Sequence, residues 1–241
     1  GAIDVNSGAS IDTSSGSIKI KTANAGTAGA SGMLVFSSGT STSGNSGSVM
    51  MGSGSAVGGR SGAVALTVGS GDSGAGGYLR FESGRSDDVT GGAVTMESGE
   101  GSSSSSGSIK IKTANAGAGG ASGRLVFSSG KSLVGNSGSI YVGTGVGVSG
   151  KGGAIKVSVG NGESGKGGAL DVTAGDTTDD TVGGSISVVS GSATGTTTSE
   201  GGALFVAAGG AKKNTGGAID VNSGASIDTS SGSIKIKTAN A

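Results

Sequence analysis

The chain has 241 residues, of which 56 are Gly, with no Pro, Cys, His or Trp and with 16 acidic against 16 basic side chains. A net charge of zero gives no electrostatic reason to expect nucleic acid or an anionic membrane as partner, and no apolar run approaches the ~20 residues of a spanning helix. Lack of Cys excludes a disulfide framework, and lack of both His and Cys removes the usual acid–base and thiol constellations.

The chain falls into lines that end in Gly, taken here in order. The first, residues 2–16, reads AIDVNSGASIDTSSG. Nearly every line has 15 residues; 17–32, 108–123 and 169–184 have 16, and 185–202 has 18. Residues 217–241 repeat 1–25 letter for letter, and the phrase GSIKIKTANAG stands at both 16–26 and 107–117. A short period therefore sits inside a long one, which is the signature of a repeat architecture.

Each line opens on a predicted strand. Its second and fourth positions are apolar: Ile3/Val5, Ile18/Ile20, Leu34/Phe36, Val49/Met51, Val64/Leu66, Leu79/Phe81 and Val94/Met96. The series continues with Ile109/Ile111, Leu125/Phe127, Ile140/Val142, Ile155/Val157, Leu170/Val172, Ile186/Val188 and Leu204/Val206. Alternation with period two and β-branched enrichment read as a half-buried strand. The sixth position is small or β-branched and the seventh is usually Gly, which accepts the positive φ that ends a strand. About eight residues of Gly, Ser, Thr, Asn and Asp follow, which is turn chemistry. A disordered linker would not hold Ile and Val at fixed phase through fifteen lines.

The expected fold is all-β: a parallel β-solenoid, or β-helix, forming one array over residues 1–241. The Gly/Ser half of a line offers no apolar layer, so two lines are expected to share a coil of about 30 residues. Their strands would form two facing parallel sheets around a dry core about 10 Å thick. The ladder of that core is Ile3, Val5, Ile18, Ile20, Leu34, Phe36, Val64, Leu66, Leu79, Phe81, Ile109, Ile111, Leu125, Phe127, Ile155, Val157, Leu170, Val172, Leu204 and Val206. Outward residues of alternate lines would stack Lys19, Met50, Arg80, Lys110, Tyr141 and Phe205 on one face, which reads as a lateral contact surface.

Chemistry is thin. The carboxylate pairs in SDD (86–88) and TTDDT (177–181) sit in short turns and read as solvated Asp. Asp does not recur in the phase a calcium-binding nonapeptide roll requires. The G-x-G in GTGVGVSGKGG (143–153) precedes no helix, so it does not read as a phosphate loop. No catalytic residue, metal ligand or cofactor is expected, and the chain is read as a non-enzyme. Ice binding competes, since small regular solenoids serve it, but no face carries a rank of Thr. No N-x-S/T sequon occurs; sugar on turn hydroxyls makes glycans an expected partner class.

The lines SIKIKTANAGTAGASGMLVFSSGTSTSGNSGSV (17–49) and GAVALTVGSGDSGAGG (62–77) resemble the very long Gly/Ser-rich repetitive proteins of diatoms and related stramenopile algae. The resemblance implies an extracellular or cell-surface structural role, such as a flagellar hair, mucilage strand or adhesive fibre. It supplies no functional residues. The first line reads like the fifteenth and neither end shows a capping unit, so the expectation is a window on a longer filament, its partner being the protein itself, end to end and laterally. A surface adhesin that binds a ligand is the alternative.

Overall fold

A computed structural model describes residues 1–179 and 181–238. Among these residues there is neither helix nor strand. The expected β-solenoid is therefore not formed, and the description as a β-helix falls with it. No side chain among the described residues is buried, so the dry core between two parallel sheets is absent too. The accessible surface is 24000 Å². A globular chain of 22.1 kDa would expose only about 9,000 Å², and a fully extended one about 32,000 Å².

The chain divides into two compact units, Gly1–Leu125 and Val126–Ala241. Both are built from the same local device. Positions one to six of a line carry no turn or bend. The Gly/Ser half then leaves as a loop and closes on itself at a narrow neck. In the line 78–92 the Gly92 N–H donates to the Gly84 carbonyl at 2.9 Å. Equivalent bonds join Gly16 to Gly8, Gly107 to Gly99, Gly217 to Gly209 and Gly232 to Gly224.

This closure is the physical reason the solenoid fails. A parallel coil needs the second half of the line to travel across and deliver the chain to the next level. Here the second half returns to its own start. The outgoing segment then runs back beside the incoming one. Ser38 lies against Gly47, and two residues further from that neck Phe36 shares a groove with Val49, Met50 and Met51. Among the described residues, the backbone groups of positions one to six make no backbone–backbone hydrogen bonds. They are exposed, and water satisfies them.

Two of the longer lines keep the same bond: it runs from Gly184 to Gly175 in 169–184 and from Gly202 to Gly191 in 185–202. The extra residues are thus taken up in the loop, where closure entropy grows only slowly with length. Loop tips use local chemistry. Ser10 Oγ accepts from the Thr13 N–H at 3.0 Å and lies 2.9 Å from Thr13 Oγ1. Ser226 and Thr229 repeat those contacts at 3.1 and 2.9 Å in the second unit. The same letters in two different units give the same turn, so the turn is fixed by its own residues.

Candidate functional site

Every complete line ends in a Gly at this neck. In all fifteen, a side-chain atom of the sixth residue lies within 4 Å of the place a Cβ on that last Gly would take. The approach is 3.3 Å for Ser83 and Gly92, 2.8 Å for Val68 and Gly77, and 2.6 Å for Val159 and Gly168. Where the sixth residue is Ser or Thr, its hydroxyl can close the neck as well. Thr22 Oγ1 donates to the Gly32 carbonyl at 3.0 Å, Ser83 Oγ to Gly92 at 2.8 Å and Thr144 Oγ1 to Gly153 at 3.3 Å. Thr22, Ser83, Ser98, Ala174 and Ser190, all sixth-position residues, are among the few side chains that are even partly covered.

The apolar ladder lies outside the neck on an uncovered face. Leu34 is 48 % exposed and Ile109 and Ile111 are each 51 % exposed, whereas the third-position Met50 is 89 % exposed. The difference does not hold along the chain: third-position Val35 and Val126, at 64 % and 62 %, are covered as much as the neighbouring Phe36 and Phe127, at 62 % and 65 %. Ile3, Val5, Ile18, Ile20, Val64, Leu66, Leu79, Phe81, Leu125, Phe127, Ile155, Val157, Leu170, Val172, Leu204 and Val206 are all exposed too, from about half to, at Ile3, almost entirely. Two grooves mark the face. One, of about 320 Å³, is lined by Phe36, Val49, Met50 and Met51. The other, of about 230 Å³, is lined by Phe81, Val94, Thr95 and Met96. In each, a fourth-position Phe meets the second and fourth positions of the following line.

The residues expected at a lateral contact lie one per line: Lys19, Met50, Arg80, Lys110, Tyr141 and Phe205. Tyr141 and Phe205 are 92 % and 90 % exposed. Met50 reaches the first groove. Arg80 pairs with Glu82 two residues on, with both side chains largely exposed; such a pair contributes at most about 1 kcal/mol.

The turn carboxylates show no convergent chemistry. Asp87 pairs with Arg85, and Asp180 of the TTDDT turn lies outside the described residues, as does the end of the last GSIKIKTANA phrase. Among the described residues no group of three His, Cys, Asp or Glu side chains is placed to hold a metal ion. Among the same residues no helix is long and apolar enough to cross a membrane.

Two features escape a reading of the sequence alone. The neck leaves its trace as a Gly at the end of all fifteen complete lines, a stricter rule than the Gly at the seventh position, which gives way to Ala23 and Ala114. The grooves leave theirs as Phe36 followed one line later by Val49 and Met51, and Phe81 followed by Val94 and Met96. Comparison with protein-family models, curated proteins and solved structures finds no match to the chain.

Proposed function

We propose that the chain is a structural protein of the cell surface or extracellular space, a repeated scaffold whose working part is its architecture. The observation that carries this reading is the neck. The same joint recurs in every complete line, in lines of 15, 16 and 18 residues, and in both compact units. A repeat that tolerates variation in its loops while holding its joint and its apolar phase is under constraint for form along its whole length. A binding or catalytic protein concentrates its constraint at one place instead.

On this reading the loops are the solvent-facing, variable part, and the apolar face is what holds neighbouring material together. Ser and Thr hydroxyls on the loops are available to sugars, so glycans are a proposed partner class.

Immunogold labelling of intact, unpermeabilised source cells tests the reading. The antibody is raised against the distinctive loop 85–91, RSDDVTG. Label on extracellular fibres or the cell surface is the expected result. Label confined to the cell interior would overturn it.

A further inference from the structure

We infer that Asn161 is a site of covalent self-modification, losing its side-chain amide through a cyclic imide formed with the backbone nitrogen of Gly162. The loop itself calls for Gly at 162. A Cβ there would stand 2.9 Å from the Lys166 carbonyl oxygen and 3.0 Å from that of Gly165. Two other lines double back in the same way at their ninth position. A Cβ on Gly101 would lie 2.5 Å from the Ser105 oxygen, and one on Gly147 2.6 Å from the Lys151 oxygen. The residues before those glycines are Glu100 and Val146, which carry no amide to lose. Only at 161–162 does the crowded Gly follow Asn.

That pairing places the parts of one reaction side by side. Asn161 is exposed. The Gly162 N–H donates to no backbone carbonyl, and without a Cβ nothing on its own residue shields that nitrogen. Once a base has taken its proton, the nitrogen attacks the Asn161 side-chain carbonyl carbon. A C–N bond forms, the side-chain amide C–N bond breaks, and ammonia leaves with the proton. Water then opens the imide. Attack at the side-chain carbonyl gives aspartate, and attack at the backbone carbonyl gives isoaspartate, in which the main chain runs through the side-chain carbon. No oxidant or enzyme enters, and Asn is among the residues prone to such loss.

The chain carries its own controls. Asn24 and Asn115 hold the same eighth position of their lines and are exposed as well, but Ala25 and Ala116 follow them. Their Cβ atoms crowd the nitrogen that would attack. Modification at Asn161 adds a carboxylate beside Glu163 and takes the chain from zero net charge to a negative one. As isoaspartate it also adds one main-chain atom to a loop, a change that lines with longer loops absorb.

Peptide mapping by mass spectrometry, on the full chain held at neutral and at mildly alkaline pH, tests this. Asn161 is expected to lose its amide about tenfold faster than Asn24 and Asn115, faster still at the higher pH, and to yield both isoaspartate and aspartate. Gly162→Ala should bring Asn161 down to the rate of Asn115. Ala116→Gly should bring Asn115 up toward the rate of Asn161 without touching the loop 160–167, so a loop distorted by the first variant does not decide the result. An Asn161 that lasts as long as Asn24 and Asn115 would overturn the proposal. So would aspartate as the sole product, or a rate that neither variant changes.

Discussion

Ser83 and Gly92 meet across the base of their loop. The Ser83 hydroxyl donates to the Gly92 carbonyl at 2.8 Å, and a Cβ on Gly92 would stand 3.3 Å from the Ser83 Cβ. One small residue and one Gly thus make a joint that admits a Cβ only if its neighbours shift by a few tenths of an ångström. The joint ties the two halves of the repeat together, and its removal should loosen both.

The tightest instance gives the sharpest test. In the line 154–168 the Val159 Cγ1 sits 2.6 Å from the place of a Gly168 Cβ, and Val is stiff at χ1. Gly168→Ala is expected to open this neck, since the Val159 methyl must move to admit the new Cβ, and to speed proteolytic nicking of the loop 160–167 about fivefold, equivalent to about 1 kcal/mol. Adding Val159→Ala should restore slow nicking, because the second substitution removes the colliding methyl groups. If both variants are nicked like the wild type, the neck does not constrain the line.

Loop tips make a second prediction. Ser149 is the one non-Gly residue in the left-handed region among those described, at φ 63°, while Gly74 and Gly135 take φ 86° and 99° in equivalent loops. The left-handed conformation costs an L-residue about 1–2 kcal/mol relative to Gly. Ser149→Gly is expected to rigidify the loop 145–152, seen as reduced proteolytic nicking there, and Gly135→Ala should increase nicking in its own loop. Reversed directions would contradict the loop geometry.

Much of this is legible in the residues alone. The fifteen-residue period and the turn chemistry of the Gly/Ser half reappear in the fold, the first as the recurring contact between the sixth residue and the last Gly, the second as the bends of the loops. What fails is the step from alternation to a sheet. Alternating Ile and Val declare which side of a segment is apolar, but not where the next segment lies. That is decided by the loop, and the loop's outcome hinges on contacts such as Ser38 with Gly47. Those contacts join residues nine apart, a spacing that neither strand nor helix periodicity samples. The candidate face is half legible for the same reason: Phe36 and Phe81 belong to the ladder, but their partnership with Met51 and Met96 needs the reversal of the chain.

The exposed ion pair makes a third prediction, and a modest one. Glu82→Gln removes the partner of Arg80, with both groups largely in solvent. Its effect on Gly84–Gly92 neck exchange is expected to stay below about 1 kcal/mol and to vanish at high salt. A larger, salt-resistant effect would mean that the pair positions the line.

Secondary structure content makes a fourth. With no strand or helix among the described residues, far-UV circular dichroism of dilute monomer is expected to show irregular backbone and no cooperative melt. A β-type spectrum with a sharp, concentration-independent transition would contradict the fold.

The most direct test is a set of proton–proton contacts in selectively labelled protein at low concentration. The self-closing line predicts contacts across the neck, from the Ser83 side chain to the Gly92 Hα, and from Phe36 to Val49 beside the Ser38–Gly47 neck. It predicts none between Leu79 and Ile109. A parallel coil of two lines would place those two side chains directly above one another, so a strong Leu79–Ile109 contact with an absent Ser83–Gly92 contact would contradict the account.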